Sequence, residues 1–464
     1  MTTDEFDVVV LGAGPTGENA AGRAAGHGLS VAIVERELVG GECSYWGCIP
    51  SKTLLRPGDL VAAARRAPGA AEAITGPIDV RAAFAQRDYM TSSWDDSGQL
   101  PWLESHGIAF VRGHGRLTGE RSVAVTTAEG ERALTARRAV VLATGTVSLI
   151  PPIPGLVDAA PWDNRSATAA KEVPRRLLVL GGGAVGVEMA QAFRRLGSDE
   201  VTVVEGSSRL LSREEPFAGA EVQAAFEREG IRVLTGVAMT EVRRPQPGAP
   251  VTATLADGTT VEGDEILVAV GRRPHTSDLG LETIGLEPGR YVEVDDQLRA
   301  VGVPGGWLFA TGDVNGLALL THMGKYQARI AGDVIAGKDA RDQASHDIVP
   351  RVTFCDPQVC AVGLTEQQAR ERYDDIRTTR VGTGDVAGAY TQGNDITGTS
   401  YLVVDAAREV IVGATFTGPL IAELLHSATI AIAGEVPLSR LWHAVPSFPT
   451  ISEVWLRLME EYGL

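Results

Sequence analysis

A short hydrophobic strand that runs into a glycine-rich turn occurs twice in this chain, and this feature most limits the possible folds. In the first copy an alanine-rich stretch (residues 19–28) is predicted to be helical, and Leu29 to Val34 predicts a second strand, which ends at Glu35. The order strand, helix, strand indicates a βαβ unit. Its turn has the pattern G-x-G-x-x-G, formed by Gly12, Gly14 and Gly17.

The second copy begins at Arg176, and its predicted helix extends through Phe193 to a strand ending at Glu205. In both copies an acidic residue follows the turn by about 20 residues, where a carboxylate can bind a ribose 2′-hydroxyl. The glycines let the backbone approach a pyrophosphate, whose charge is stabilised at the helix N-terminus. Two such units predict two bound dinucleotides. The glycines of the second turn are Gly181, Gly183 and Gly186.

Length and composition limit the protein class. With 464 residues the chain is expected to form two or three domains, each with its own core. No apolar run approaches the ~18 residues of a membrane helix, and the N-terminus enters a strand without a signal segment, so a cytoplasmic location is expected. A net charge of −17 argues against nucleic acid or anionic membrane as a partner.

Cys43 and Cys48 are the close pair among four cysteines, too few for a secreted disulfide framework. At the start of a helix this spacing brings two sulfurs within bridging reach, and the helix N-terminus stabilises a thiolate. The alternatives are a zinc site and two buried structural thiols. No second cysteine or histidine group has zinc-ligand spacing, so the sequence favours redox chemistry and no metal.

Beyond these features, the chain resembles the pyridine nucleotide–disulfide oxidoreductases, the family of dihydrolipoamide dehydrogenase, glutathione reductase and mercuric reductase. The resemblance covers essentially the whole chain. Besides the two glycine turns, it is carried by Gly40 to Lys52, Ala143 to Gly145, Gly271 to Pro274, Thr311 to Asp313, Asp356 to Glu366 and Pro449 to Glu453.

The resemblance implies an α/β fold with two Rossmann-like dinucleotide-binding domains plus a C-terminal α+β dimerisation domain. Residues 1–149 and 271–341 are expected to form the FAD-binding domain, 150–270 the NAD(P)-binding domain, and 342–464 the dimerisation domain. A homodimer with an active site shared between its subunits is expected.

The cofactors implied are FAD and NADH, with NADPH as the alternative. FAD is expected to be held by Gly12, Gly14, Gly17, Glu35, Gly145 and Asp313. The nicotinamide nucleotide is expected at Gly181, Gly183, Gly186 and Glu205. Further cofactor contacts are expected at Gly41, Lys52, Gly115, Thr144, Glu188, Gly271 and Gly312.

The preference for NADH rests on Glu205. A carboxylate at this position binds two ribose hydroxyls and repels a 2′-phosphate. The neighbouring Ser207, Ser208 and Arg209 could instead hold a phosphate, although Arg209 is expected to be a solvated loop residue.

In the mechanism that the resemblance implies, NADH reduces FAD, reduced flavin breaks the disulfide at Cys48, and Cys43 becomes the thiolate that attacks the acceptor. Lys52 and Glu188 match a charge pair beside the flavin N5 and the nicotinamide. Tyr45 and Trp46 are expected either to form an aromatic wall for the substrate or to fill the core.

The chain departs from the family pattern near its C-terminus. Typical members have a histidine in His-Pro-Thr-x-Ser-Glu, and here Phe448 precedes Pro449. Phenylalanine cannot move a proton, and positioned acid–base catalysis is worth ~10²–10⁴-fold in rate. Glu453 is expected to be either a replacement acid or an ordinary helix-start carboxylate. His443 is expected to be too far along an extended segment to substitute.

We therefore expect a small-molecule acceptor that needs little general-acid help, namely a disulfide of acidic thiols, a quinone or a metal ion. Mercuric ion is disfavoured because the chain lacks the C-terminal cysteine pair of mercuric reductases. The alternatives are a reductase whose thiolate cleaves a carbon–sulfur bond and a biosynthetic flavin thiol oxidase that forms a disulfide. The remaining cysteines, Cys355 and Cys360, are expected to be buried small hydrophobes.

Overall fold

The structure, a computed structural model, describes residues 3–464. These residues form two compact units. The first comprises residues up to 50 together with 87–149 and 271–346, and the second comprises 51–86, 150–270 and 347–464. No helix among residues 3–464 combines the length and the apolar character needed to cross a bilayer.

The strands, in chain order, are β1 (Thr3–Leu11), β2 (Val31–Glu35), β3 (Ile108–Arg112), β4 (His114–Gly119), β5 (Ser122–Thr127), β6 (Gly130–Leu142), β7 (Thr146–Ser148), β8 (Arg176–Leu180), β9 (Glu200–Glu205), β10 (Ile231–Thr235), β11 (Met239–Arg243), β12 (Val251–Leu255), β13 (Thr260–Gly263), β14 (Glu265–Val268), β15 (Arg272–Pro274), β16 (Leu308–Ala310), β17 (Arg351–Thr353), β18 (Gln358–Gly363), β19 (Ile376–Gly382), β20 (Thr399–Asp405) and β21 (Val410–Gly418).

The helices, in chain order, are α1 (Pro15–Gly26), α2 (Gly41–Tyr45), α3 (Cys48–Arg66), α4 (Val80–Met90), α5 (Leu100–Ser105), α6 (Asn164–Thr168), α7 (Ala184–Leu196), α8 (Pro216–Arg228), α9 (Thr321–Ile335), α10 (Glu366–Arg372), α11 (Ala387–Tyr390), α12 (Leu425–Ala433), α13 (Leu438–Leu441) and α14 (Val454–Tyr462).

The first unit is built on one mixed sheet with the strand order β3-β2-β1-β6-β5-β4, and β16 also pairs with β6. The strands β3, β2, β1, β6 and β16 are joined by parallel pairing, whereas β4 and β5 are antiparallel. Helices α1 and α9 pack together beside this sheet. The parallel part therefore collects its carboxyl ends at one edge, where the loops after β1, β2, β6 and β16 meet.

The second unit contains a parallel sheet, β10-β9-β8-β14, in which α7 connects β8 to β9. It also contains an antiparallel sheet, β17-β18-β21-β20-β19, whose apolar face packs against α12 and α14. Parallel strands need long crossover connections, such as helices, whereas antiparallel strands can be joined by short hairpins. The second unit therefore contains two different sheet architectures, one after the other along the chain. The predicted fold class, α/β with Rossmann-like sheets and a C-terminal dimerisation domain, is confirmed.

Local boundaries differ slightly from those predicted. The first helix begins at Pro15 rather than near Asn19, because proline is favoured in the first helical turn. The strand predicted from Leu29 begins at Val31. The cysteine segment forms two helices instead of one. It is interrupted at Gly47, whose N–H donates to Glu42 O at 2.6 Å.

Candidate active site

The first glycine turn joins β1 to α1, and two of its glycines are required by the fold itself. Gly12 has a φ of 101°, and a Cβ there would lie 2.5 Å from Ala143 O. A Cβ at Gly17 would lie 1.8 Å from Gly12 O. Any larger residue at either position would force the strand and helix apart.

Gly14 is different, because the protein's own packing leaves room for a side chain there. Its φ is −72°, and the atom nearest to an added Cβ would be Gly41 Cα, at 3.9 Å. Gly14 is also the N-cap of α1 and supplies no side-chain acceptor for the first N–H groups of that helix. An uncapped helix N-terminus with a missing Cβ is a cradle that fits a pyrophosphate. On this observation the residues fit FAD.

The second glycine turn, between β8 and α7, repeats this arrangement closely. A Cβ at Gly181 would lie 2.5 Å from Ala269 O, and a Cβ at Gly186 would lie 1.9 Å from Gly181 O. Around Gly183, the N-cap of α7 without a side-chain cap, the described residues other than its chain neighbours place no atom within 4 Å of an added Cβ. The same division of roles therefore applies, and this turn can also hold a pyrophosphate.

Glu35 and Glu205 end the second strands of the two βαβ units and are held in the same way. Glu35 Oε2 accepts from Ala13 N–H at 2.8 Å, and its Oε1 accepts from Glu37 N–H at 2.7 Å. Glu205 accepts from Gly182 N–H and Ser207 N–H, both at 2.6 Å. Each carboxylate is thereby oriented beside its glycine turn, where a ribose would bind.

Arg209, considered above as a solvated residue or a phosphate ligand, is partly buried. Its Nη2 donates to Ser212 O at 2.8 Å and to Glu214 O at 3.0 Å. Carbonyls of its own loop therefore bind one nitrogen of the guanidinium, and the side chain stays partly exposed. These contacts engage Nη2 and favour the loop interpretation over phosphate binding.

Two buried hydroxyls lie at the carboxyl edge of the first unit's sheet. Thr144 follows β6 and Thr311 follows its parallel neighbour β16. Within residues 3–464 neither Oγ1 has a hydrogen-bond partner. A buried hydroxyl without a partner costs about 1–3 kcal/mol. A polar ligand bound at this edge would supply the missing hydrogen bonds and so account for both hydroxyls. Gly145 and Gly312, with φ of 67° and 77°, form the adjacent turns.

Asp313 lies beside these turns in a polar network of the first unit. Its Oδ2 accepts from Thr146 Oγ1 at 2.8 Å, and Arg272 Nε also donates to Thr146 Oγ1, at 2.6 Å. Burial raises the pKa of the Asp313 carboxyl, while the Thr146 hydroxyl and the Arg272 charge oppose that effect. Gly271, before Arg272, has a φ of 145°.

Gly41 and Gly115 have clear packing reasons to be glycine. A Cβ at Gly41 would lie 2.7 Å from Gly14 Cα, so the cysteine helix α2 meets the glycine turn backbone to backbone. A Cβ at Gly115 would lie 2.8 Å from Leu11 Cδ2 in the core under β4. Their predicted cofactor contacts stay predictions.

Cys43 lies in the short helix α2, and Cys48 begins α3; both are thiols. Cys48 Sγ lies 3.2 Å from Thr321 Oγ1, at the start of α9. The pKa of the Cys43 thiol is raised by its hydrogen bond to Cys48 and by burial, whereas Thr321 and the charge of Lys325 act in the opposite direction. Two thiols in hydrogen-bond contact can be oxidised to a disulfide with little rearrangement.

The structure brings the predicted charge pair Lys52 and Glu188 together within the second unit. Lys52 Nζ donates to Glu188 Oε2 at 2.7 Å. The other oxygen of this buried carboxylate accepts from Phe354 N–H at 2.9 Å, and Lys52 Nζ lies 4.9 Å from the centre of the Phe354 ring. Glu188 therefore holds the ammonium group in one position.

The C-terminal segment, also in the second unit, presents Phe448 with 76% of its surface exposed. His443 is exposed too. Glu453 is buried; its Oε1 accepts from Arg457 Nη2 at 3.1 Å, while its Oε2 has no hydrogen-bond partner in the described part of the chain. One oxygen of Glu453 is thus buried without a hydrogen bond from residues 3–464.

Most of the remaining aromatic and thiol residues considered in the sequence analysis are buried in the protein core. Tyr45 is buried, which favours the core interpretation over a substrate wall for that residue. Trp46, next to it, is partly exposed. Cys355 and Cys360 are buried as predicted.

Sequence reasoning missed two residues that act on Cys43, Thr321 and Lys325, and one further titratable residue of the first unit, Glu18. Thr321 and Lys325 belong to α9, and Glu18 lies in α1 directly after the glycine turn. Burial raises the pKa of Glu18 to about 7, with Lys325 lowering it and Glu35 raising it. The sequence did contain one signal for Glu18. A glutamate in the first turns of a pyrophosphate-binding helix places its carboxylate near the negative charge of the pyrophosphate, which is unusual enough to mark the residue.

Known proteins are similar to this chain over most of its length. A family model described as pyridine nucleotide-disulphide oxidoreductase matches residues 6–331, and the dimerisation domain of the same family matches 349–459. Dihydrolipoyl dehydrogenase 3 of Pseudomonas aeruginosa is 32% identical over 462 residues, covering 97% of this chain and 96% of that protein. Mercuric reductase of Staphylococcus aureus is 29% identical over 453 residues, covering 97% and 81%.

Solved structures include a similar one. The Cu(II) complex of the HOCl-induced flavoprotein disulfide reductase RclA from Escherichia coli has a TM-score of 0.86 and 25% identity, and covers 99% of each chain.

Two Rossmann-like sheets with glycine turns and a close pair of thiols define a flavin-dependent disulfide oxidoreductase. The chain belongs to the pyridine nucleotide-disulphide oxidoreductase family. Family members use FAD and NAD(P)H, and the dimerisation domain indicates a homodimer. The predicted family, enzyme class and cofactors are thus confirmed.

Proposed function

We propose that this enzyme passes electrons from NADH through the Cys43–Cys48 disulfide to an acceptor that needs little help from a general acid. The observation that carries this proposal is Phe448, an exposed aromatic residue before Pro449 where typical relatives have the acid–base histidine. A general acid protonates a leaving thiolate of high pKa. An acceptor that releases a weak base, or no base, does not need this step.

The residues fit this proposal in the following roles. Residues 1–149 and 271–341 bind FAD, 150–270 bind the nicotinamide nucleotide, and 342–464 form the subunit interface. When bound, FAD supplies the two-electron link between the nicotinamide and the cysteine pair. The FAD contacts are Gly12, Gly14, Gly17, Glu35, Gly41, Gly115, Thr144, Gly145, Gly312 and Asp313; those for the nicotinamide nucleotide are Gly181, Gly183, Gly186, Glu205 and Gly271. Lys52 and Glu188 contribute a fixed charge pair.

The cysteine reaction balances as follows. NADH and one proton together reduce the disulfide to two thiols, giving NAD⁺. One two-electron acceptor, or two one-electron acceptors such as Cu(II) ions, then takes the two electrons, the disulfide re-forms, and the two thiol protons leave with the reduced acceptor or into solvent. Cys43 meets the acceptor as a thiolate, because the thiolate is the nucleophile and the ligand for soft metals.

Among acceptors of this kind, thiophilic metal ions have the most support. They take electrons without a proton, and two similar proteins are a mercuric reductase and a reductase solved as a Cu(II) complex. Quinones and disulfides of acidic thiols satisfy the same chemical requirement. We further propose that the active site is shared, with Phe448 and Glu453 of one protomer beside the cysteine pair of the other.

The test uses the purified holoenzyme. Anaerobic NADH is expected to produce a long-wavelength charge-transfer band that is lost in Cys48→Ser. Values of kcat/KM are then compared for Cu(II), a quinone, an aromatic disulfide with acidic thiols and an alkyl disulfide. We expect the alkyl disulfide to be slower by about 10²-fold or more, the size of a general-acid contribution. No charge-transfer band in the wild type, or an alkyl disulfide as good as the others, would overturn the proposal.

A further inference from the structure

Helix α7 carries three polar side chains along one of its faces. Glu188, Gln191 and Arg195 are spaced at i, i+3 and i+7, which places them on the same side of the helix. Gln191 and Glu188 are buried, with 0% and 4% of their surface exposed, and only 11% of the Arg195 side chain is exposed. Buried polar groups need hydrogen-bond partners, so these three side chains determine what can pack against this face of α7.

Gln191 binds both polar groups of the Asp356 backbone. Asp356 N–H donates to Gln191 Oε1 at 2.7 Å, and Gln191 Nε2 donates to Asp356 O at 3.0 Å. Gln191 Nε2 also donates to Glu229 Oε1 at 2.9 Å. The amide oxygen therefore has a donor, and the amide nitrogen has two acceptors. A rotation of this side chain would leave buried groups unpaired, so Gln191 holds Asp356 in one position against α7.

The backbone two residues before Asp356 contacts the Lys52–Glu188 pair. Phe354 N–H donates to Glu188 Oε1 at 2.9 Å, and the centre of the Phe354 ring lies 4.9 Å from Lys52 Nζ. Lys52 Nζ donates to the other oxygen of the carboxylate, Glu188 Oε2, at 2.7 Å. Phe354 therefore contacts both members of the pair.

Residues 354–357 connect β17 to β18 and belong to neither strand. Their backbone donates two hydrogen bonds to α7, one to Glu188 and one to Gln191, which lie one turn apart on the helix. The Asp356 carboxylate accepts from Arg195 Nη2 at 2.9 Å, which adds a third attachment to the same helix. The connection is thus bound to α7 at three points, and Gln191 provides the middle one.

We propose that Gln191 is a positioning residue for the Lys52–Glu188 pair and acts through the connection 354–357. This inference rests on the proposed function, in which Lys52 and Glu188 contribute a fixed charge pair. Without the attachment at Asp356, Phe354 N–H is free to move away from Glu188 Oε1, and both charged groups gain freedom. A charge pair that must reorganise during the reaction stabilises a developing charge less well than a fixed pair.

The experiment is anaerobic stopped-flow reduction of the holoenzyme by NADH, which separates the limiting rate of flavin reduction from the apparent Kd for NADH. Gln191→Met keeps the approximate size of the side chain and removes its hydrogen bonds. We expect the limiting rate to fall about 3- to 10-fold, a part of the effect of removing the Glu188 charge. The apparent Kd should stay within about twofold, because Asp356 and Glu229, the partners of Gln191, lie outside the glycine turn. Gln367→Met, at an exposed glutamine of α10, is the matched control.

A double-mutant cycle distinguishes positioning from a general loosening of the fold. In Glu188→Gln the charge is already absent, so a residue that acts through Glu188 has little left to affect. Gln191→Met should therefore slow the Glu188→Gln enzyme by less than about twofold. Gln191→Ser takes its place in both arms if Gln191→Met does not fold, because the space that serine leaves is polar and can hold a water that binds Asp356.

A wild-type limiting rate in the Gln191 variants would overturn the inference. So would a fall by the same factor in the Glu188→Gln background, or an equal fall in Gln367→Met. If Glu188→Gln itself reduces flavin at the wild-type rate, the result contradicts the proposed role of the charge pair and the inference with it. A slow Glu188→Gln together with an unaffected Gln191→Met contradicts the inference alone.

Discussion

Lys52 Nζ donates to Glu188 Oε2 at 2.7 Å, and the other Glu188 oxygen is held by Phe354 N–H at 2.9 Å. A buried carboxylate with both oxygens engaged fixes the ammonium group that pairs with it. Fixed charges stabilise a developing charge better than mobile ones because they need no reorganisation during the reaction.

We expect Glu188→Gln to slow the reduction of flavin by NADH about 10- to 100-fold, because an amide keeps the Phe354 contact but loses the charge. The measurement is stopped-flow absorbance, with thermal unfolding to show that the fold is retained. Glu227→Gln, at an exposed residue of α8, is the control. A rate equal to that of the control would show that the pair is structural only.

Substitutions in the glycine turns should separate ligand binding from folding. Gly14→Ala has room in the protein, so the apoprotein should keep its melting temperature while FAD affinity falls tenfold or more, about 1.4 kcal/mol. Gly17→Ala should lower the melting temperature with or without FAD, because its Cβ would meet Gly12 O. The readouts are calorimetry of the apoprotein and FAD titration. Normal FAD affinity in Gly14→Ala would show that the cradle at Gly14 does not bind FAD.

The nicotinamide preference should follow Glu205. We expect wild-type kcat/KM to favour NADH over NADPH, and Glu205→Ala to reduce the ratio, since the carboxylate repels a 2′-phosphate. Arg209→Ala should leave the NADPH value nearly unchanged, because Arg209 Nη2 is bound to Ser212 O and Glu214 O. A strong NADPH preference in the wild type would contradict this assignment. So would a large fall in kcat/KM for NADPH in Arg209→Ala.

Restoring a proton donor should widen the range of acceptors. Phe448→His is expected to raise kcat/KM for an alkyl disulfide about tenfold or more, because an imidazole can donate the proton that phenylalanine cannot. Activity with Cu(II) should change little. Phe448→Leu controls for the loss of the aromatic ring. If leucine and histidine act alike, pocket shape rather than proton transfer limits the disulfide reaction.

A buried charge cluster in the second unit should be important for stability. Arg195 bonds to Asp59 at 3.1 Å, Glu229 at 2.6 Å and Asp356 at 2.9 Å, and only 11% of its side chain is exposed. Arg195→Met should cost about 3–5 kcal/mol, because Asp59 and Glu229 lose this ion pair and the buried Asp356 keeps only Arg66. Urea unfolding measures this, with the exposed Arg175→Met as control.

The same cluster gives a pH dependence with a defined sign. Burial raises the pKa of Asp59 to about 6, above its ordinary value of 3.8. The folded state therefore binds a proton that the unfolded state has lost between these values, and this contribution to stability decreases as pH rises through 6. Asp59→Asn should flatten the urea midpoint between pH 4 and 7, and an unaltered slope would argue against this origin.

Much of the site could be predicted because it depends on residues close together in sequence. A glycine with positive φ, a strand before it and a helix after it are local properties of the chain, so Gly12, Gly17 and Glu35 could be placed without a structure. The same holds for the second copy, and each copy has the same hydrogen bonds to its glutamate. The observed helix starts differ from the predicted ones by a few residues, because prolines and N-cap residues decide locally where a helix begins.

The sequence by itself determined that this chain has two dinucleotide turns and a close cysteine pair, since these are encoded in short, ordered motifs. Only the tertiary structure decided what surrounds the pair, since it brings Thr321 of α9 against Cys48. It also separated Cys43 and Cys48 into two helices and showed that Arg209 bonds to its own loop. These relations are set by the packing of α1, α2 and α9, segments far apart in the chain, and no local pattern records which side chains such packing brings together.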